Sequence, residues 1–298
     1  MAKRAIYLTL LVIPLMVSTG FSQDGLALMK VEAGARPAGM GGAFVAINGD
    51  PNASFYNPAG AGFTDKFITS VGHNTYWENI RLETIFFASN GTKNTWIHGG
   101  IRYATVSDME FRLVPSAEPD SYFSLYDVSF KGGLARRIGQ KLVVGVSLGW
   151  FIEKIDIYRG SVFNIDLGAI YEIKPGMTFG ASATNIGSDI SLSVSSQPGT
   201  TPISIPTTYR FGGALQHDWG LGAVDLVFVD DDAHLHVGVE REMHELFDLR
   251  AGYMFGYDSK NLSAGVSFKQ RKLTIDYAFV PYSNSLGTAH LFNLTFIL

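Results

Sequence analysis

The stretch closest to chemistry is Asp230-Asp231-Asp232-Ala233-His234-Leu235-His236. In an extended strand His234 and His236 fall on one face, so both could reach one ion, with Asp232 joining if the strand starts that early. The spacing matches no defined metal motif. A solvated turn followed by inward polar residues is the preferred reading, and no metal site is assigned. Serines and histidines are present, but none sits in a nucleophile-elbow setting. Gly39-Met40-Gly41-Gly42-Ala43-Phe44 resembles a dinucleotide loop loosely, yet it follows no strand and opens no long helix. No catalytic residue and no cofactor is assigned, and the chain is read as a non-enzyme.

The elements that would position these residues are strands. Hydrophobic residues make up 46% of the 298 residues, aromatics 13% and charged residues 17%, with 33 glycines and a net charge of −4. No basic excess exists to neutralise phosphates, which argues against nucleic acid as a partner. Cysteine is absent, so thiol and disulfide chemistry are excluded. Residues 1–22 read as a signal peptide: Lys3 and Arg4 precede an apolar run from Ala5 to Val17, and Gly20 and Ser22 are small residues before the expected cleavage at Gln23. After it no apolar run is long enough for a membrane helix.

From Phe67 onward the chain alternates with period two in segments of about ten residues, the pattern of a transmembrane barrel. Phe247, Leu249, Ala251, Tyr253, Phe255 and Tyr257 share one face, while Asp248, Arg250, Gly252 and Gly256 share the other, with Met254 as the exception. The alternation predicts about fourteen antiparallel strands: 67–76, 80–89, 94–104, 121–135, 141–155, 161–172, 177–186, 207–217, 221–229, 233–241, 246–256, 261–269, 272–281 and 289–298. The three longest links, 105–120, 187–206 and 282–288, then fall on one side, as the long outer loops of such barrels do. Arg102, Asp166, Arg210, Asp225, Glu240, Asp248, Arg250 and Asp276 face the lumen in this register. A mutually paired network is preferred there over an open polar conduit, because buried charges require partners.

Residues 23–66 do not alternate. Gly34–Gly62 is rich in Gly, Ala and Pro, and Arg36 and Asp50 are its only charges. It is read as an N-terminal hatch inside the barrel of residues 67–298. Gly39, Met40, Gly41, Gly42, Phe44, Asn57, Pro58 and Gly60 are its expected hatch or gating residues. Asp50 would cap a short helix with Pro51 in its first position, and Gly60 or Gly62 would end it. A hatch that gates and a plug that only fills space remain two open readings.

Gly34-Ala35-Arg36-Pro37-Ala38-Gly39-Met40-Gly41-Gly42-Ala43-Phe44-Val45-Ala46, followed by Asp50, Ala53 and Tyr56-Asn57-Pro58-Ala59-Gly60, resembles the N-terminal signature of FadL-like outer-membrane proteins. The likeness is nearest to the PorV/PorQ branch associated with type IX secretion. Leu249-Arg250-Ala251-Gly252-Tyr253 and Asp276-Tyr277-Ala278-Phe279-Val280-Pro281 look like that branch too. The resemblance implies an outer-membrane barrel of fourteen strands with its N-terminal segment in the lumen. It also implies a function, the binding or shuttling of secreted proteins. The alternative it carries is a channel for long-chain fatty acids or other hydrophobic small molecules. Outer-membrane lipid, secreted cargo or secretion components, and a hydrophobic small molecule are the expected partners. Met109, Phe111, Leu113 and Val114 in the third link, or Ile203 and Ile205 in the seventh, would be a partner-binding surface.

Overall fold

A computed structural model describes residues 26–77, 80–194 and 202–298. The expected signal peptide, residues 1–22, lies outside the described residues. Among them, fourteen strands form one closed antiparallel barrel: β1 (Ile68–Thr75), β2 (Arg81–Thr92), β3 (Thr95–Phe111), β4 (Ser121–Ile138), β5 (Leu142–Ile155), β6 (Tyr158–Lys174), β7 (Met177–Gly187), β10 (Thr208–His217), β11 (Gly220–Val229), β12 (Asp232–His244), β13 (Phe247–Phe255), β14 (Leu262–Gln270), β15 (Leu273–Tyr282) and β16 (Gly287–Ile297). A small hairpin, β8 (Ile190–Ser191) with β9 (Pro202–Ile203), lies in the link between β7 and β10. Each barrel strand pairs with its neighbours in sequence, and β16 closes on β1 from Ile68↔Ile297 to Thr75↔His290. Closure leaves no unpaired edge, which a strand structure in lipid requires.

Alternation divides the wall into two faces. Phe247, Leu249, Tyr253 and Phe255 of β13 are exposed, whereas Asp248, Arg250 and Met254 are buried. The same phase holds around the barrel: Ile85, Leu148, Phe163, Phe211, Leu226, Leu262 and Phe292 all point outward and are exposed. An exposed apolar surface that encircles the molecule fits lipid as its solvent. Among the described residues no helix is long and apolar enough to cross a membrane.

The two rims differ. At the rim where β1 begins, here the proximal rim, the links are short: 93–94, 139–141, 175–176, 218–219, 245–246 and 271–272. The opposite, distal rim carries the longer links, including 112–120 and 188–207. β3 and β4 run 17 and 18 residues, so they rise well past the ~25 Å apolar band of such barrels. This corrects the expected link 105–120. β3 continues to Phe111 through a register shift between Val106 and Met109, where Asp108 takes φ 58°. Met109 and Phe111 are therefore strand residues paired with Phe123 and Ser121, and only Leu113 and Val114 lie in the link. Above the lipid nothing demands apolar alternation, so a polar strand there reads as a loop.

Residues 26–66 run along the inner face of the wall. They form three short helices, α1 (Ala27–Lys30), α2 (Ala35–Gly39) and α3 (Ala53–Tyr56), and a 3-10 turn at Pro58–Ala61. The segment's apolar residues pack on one another and on the wall. Met40, Phe44, Val45 and Tyr56 pack with Leu221 and Ala223 of the wall, and Ala35 and Ala38 with Tyr76, Leu82 and Met254. Ala59 packs with Trp96, Val143 and Ile170. The capping expectation is corrected in detail. Asn52, not Asp50, occupies the N-cap of α3, and its side chain makes no cap bond. The Asp50 carboxylate instead accepts from the backbone N and the Nδ2 of Asn52, both at 2.8 Å, and Pro51 precedes the helix. Gly60 sits within the 3-10 turn and Gly62 ends it.

Candidate functional site: the inner segment, its docking belt and the distal cavity

The inner segment docks where the wall has no side chains. Gly145, Gly168, Gly180, Gly212, Gly238, Gly252 and Gly265 come from seven strands and face inward. A Cβ on any of them would meet the segment: Pro58 and Ala59 at Gly145, Asn57 at Gly168, Val45 at Gly180 and Gly212, Met40 at Gly238, Gly41 at Gly252, and Gly39 at Gly265. The belt thus lets backbone lie against backbone. Of the expected hatch residues, Gly39, Met40, Gly41, Asn57 and Pro58 are the ones that touch it. Gly41 takes φ +64° and passes so close to the wall that a Cβ would stand 3.0 Å from the Tyr253 nitrogen. Gly42 lies against the His236 ring, Gly60 against Ala53, and Phe44 is fully buried against Tyr56.

Polar bonds lock the same contact. The Phe44 and Val45 amides donate to Asp225 Oδ2 at 2.7 and 2.8 Å. Asn57 Nδ2 donates to the carbonyls of Val45 (2.7 Å) and Ala169 (3.1 Å), and Asn57 Oδ1 accepts from the Ala59 amide. Pro58 biases Asn57 to its extended φ of −156°, which aims the amide at both carbonyls. The Ala35 amide donates to Asn293 Oδ1 at 2.7 Å.

The lumen charges separate into clusters. In the first, Arg36 Nε and Nη2 donate to the two Glu240 oxygens, both at 2.8 Å, and its Nη1 donates to Asp50 at 2.9 Å. Arg250 shares Glu240 (2.5 Å) and also holds Asp276 (2.9 Å), with Asp248 at 3.8 Å. Asp248 continues to Lys269 at the proximal rim. In the second cluster, Lys131 donates to Asp166 (2.6 Å) and Asn185 (2.8 Å). Arg102 stands apart from both: it donates to the Val31 carbonyl and lies over the Phe55 ring. Arg210 is also apart, over Tyr56. The eight expected lumen charges therefore do not form one network: Arg250, Glu240, Asp248 and Asp276 meet, and Asp166, Asp225, Arg102 and Arg210 do not join them.

The sequence reading missed several partners. Lys131, Lys260 and Glu32 gave no signal, because nothing local marks which charge meets which. Arg36 did offer one: a lone cation in a Gly- and Ala-rich buried segment needs a carboxylate opposite.

Towards the distal rim the segment thins to a strap over residues 29–33. Glu32 pairs with Lys260 at 2.5 Å, and Lys30 pairs with Asp230. Tyr76 donates to the Glu32 carbonyl, and Tyr56 accepts from the Ala33 amide. Burial alone would raise the Glu32 carboxyl; the Lys260 ammonium and its hydrogen bond more than offset this and hold it below its ordinary value. Between strap and wall lies a cavity of about 450 Å³. Phe55, Tyr56, Trp77, Tyr257 and Tyr282 supply its aromatic surface, and Arg210 and Thr184 its polar side. His234 and His236 line it too. The His234 ring stacks on Tyr257 at 3.8 Å, and His236 Nε2 hydrogen-bonds the Tyr257 hydroxyl at 3.0 Å. Among the described residues no three His, Asp or Glu side chains converge as a metal site.

No protein-family profile and no curated protein sequence matches this chain. Solved structures do match in fold. The Pseudomonas putida toluene transporter TodX superposes with a TM-score of 0.66 at 11% identity, over 89% of this chain and 96% of that one. The CymD monoaromatic hydrocarbon channel gives 0.65 at 14% identity, over 90% and 98%. A Pseudomonas aeruginosa FadL homologue gives 0.57 at 12% identity, over 88% and 97%. The architecture is that of FadL-like outer-membrane barrels, a closed antiparallel barrel of fourteen strands.

Proposed function

We propose that this chain is a non-enzymatic outer-membrane barrel that passes small hydrophobic molecules, with residues 34–62 as its hatch. The observation that carries this reading is the aromatic-walled cavity of about 450 Å³ between strap and wall. Ligand pockets of small molecules have this size and this mixture of apolar surface with a few polar groups. The proteins it resembles in fold, a toluene transporter and a monoaromatic hydrocarbon channel, support the same class of cargo. The hatch would stay seated on the glycine belt, and the strap would be the part that yields to a ligand. Ser259, on the distal link beside the cavity, gives the test. Ser259→Trp should fill the cavity and lower uptake of toluene by cells that depend on this barrel; uptake at the wild-type rate would contradict the reading.

A second reading, the shuttling of secreted proteins in a PorV/PorQ-like manner, draws on the distal link. Leu113 and Val114 there are 76% and 63% exposed, beyond the barrel wall. Deleting residues 112–120 and following surface delivery of secreted proteins tests it. Unchanged delivery would remove this reading and leave the first intact.

A further inference from the structure

Four cations at the inner segment hold carboxylates: Arg36 with Glu240 and Asp50, Lys131 with Asp166, Arg250 with Glu240 and Asp276, and Lys260 with Glu32. Arg210 does not. Among the described residues no carboxylate lies within ion-pair reach of it. Its guanidinium makes one long hydrogen bond, 3.4 Å to Thr184 Oγ1. Its Nε is buried and has no partner. Asp225, on the neighbouring strand, accepts from the Phe44 and Val45 amides at Oδ2, and its Oδ1 is buried without a hydrogen-bond partner. Arginine stays charged in any protein environment. A guanidinium on the wall of a cavity, short of hydrogen bonds, is the expected state of a receptor whose anion is supplied by the ligand.

The rest of the cavity narrows the ligand. Tyr56 lies under the Arg210 guanidinium, 5.4 Å from ring centre to Cζ, and Tyr257 presents a second ring held by His234 and His236. His234 Nδ1 and His236 Nδ1 are buried without partners, two further polar atoms among these aromatic rings. Flat walls favour a flat ligand. Asp232 and Asp258 also border the cavity, which disfavours a multiply charged anion such as a phosphate ester. We propose that Arg210 is the anion-binding end of the distal cavity and that the ligand is a small aromatic monocarboxylate, its ring among the tyrosines and its carboxylate on the guanidinium fork. This rests on the small-molecule reading above and names its substrate class.

The test uses the full barrel in lipid nanodiscs, with empty nanodiscs as the blank, and titrates benzoate, its neutral isostere benzamide, and toluene by calorimetry. Benzoate should bind about tenfold tighter than benzamide, as a charge-assisted fork contact requires. Arg210→Gln should erase that gap, read as the ratio of the benzoate and benzamide affinities within each variant. Arg210→Lys should keep only part of the gap, because the fork is lost and the charge is kept; it also carries the test if the Gln variant does not fold. An equal affinity for benzoate and benzamide in the wild type, or a gap that survives in both variants, overturns the proposal. Toluene binding without a preference for benzoate overturns this inference and leaves the hydrophobic cavity standing. Failure of all three probes to bind overturns both.

Discussion

Glu240→Ala probes the joint between the inner segment and the wall at its most heavily bonded point. Three charge-assisted hydrogen bonds end on this carboxylate: two from Arg36 at 2.8 Å and one from Arg250 at 2.5 Å. The Arg250 side chain is only 2% exposed, so water does not replace what is lost. Removing one partner of a buried ion pair costs about 3–5 kcal/mol. Neither arginine is left bare, because Arg36 keeps Asp50 and Arg250 keeps Asp276 and Ser267. The expected loss is therefore at the low end, about 3 kcal/mol, or roughly a hundredfold in an equilibrium constant. Urea unfolding of the barrel in lipid vesicles, followed by tryptophan fluorescence, measures it. Hydrogen exchange at residues 35–46 should rise in parallel, since Arg36 ties that segment to the wall. A loss below about 0.5 kcal/mol, the size of an exposed pair, would refute the argument that this cluster is what holds the inner segment.

Three further outcomes follow from the same geometry. Gly238→Val drives a side chain into the Met40 backbone and should cost about 1–3 kcal/mol by overpacking, whereas Gly132→Val, where a Cβ meets nothing within 4 Å, should change urea stability by less than about 0.5 kcal/mol. Asp225→Ala strands the buried Phe44 and Val45 amides and should cost about 2–4 kcal/mol, read by the same unfolding assay. The Glu32–Lys260 pair sets an acid response. Glu32 is held below its ordinary 4.5, so its contribution is complete above that pH and fades as pH falls through the lowered folded value. Exchange of the strap amides should therefore accelerate below about pH 4.5, and Lys260→Met should remove that acid step.

The wall was legible because lipid imposes a rule on every outward position. Leu249, Tyr253 and Phe255 must be apolar, so the phase of β13 is written in the chain, and Met254 breaks the polar face where it joins a core with Ala35 and Ala38 of the inner segment. Where lipid ends the rule ends, and the upper part of β3 around Met109 and Glu110 read as loop although it is paired. The inner segment was legible as a stretch that is not a strand. Its contacts were not. Gly238 and Gly252 signal small residues, but their partners Met40 and Gly41 lie some two hundred residues away and meet them through backbone, which carries no side-chain signature. The pairing of Arg36 with Glu240, 204 residues apart, is hidden for the same reason. Arg210 lies over Tyr56 of the inner segment, apart from the network with which the sequence grouped it.

The central claim is that the cavity behind the strap takes small hydrophobic molecules through an outer membrane. Its most direct measurement is uptake of radiolabelled toluene by cells with a lipopolysaccharide outer leaflet and no other such channel, carrying the wild-type barrel, Ser259→Trp or an empty vector. The account predicts fast uptake with the wild type and near-vector uptake with Ser259→Trp, at equal amounts of folded barrel. Equal uptake by all three strains would contradict it.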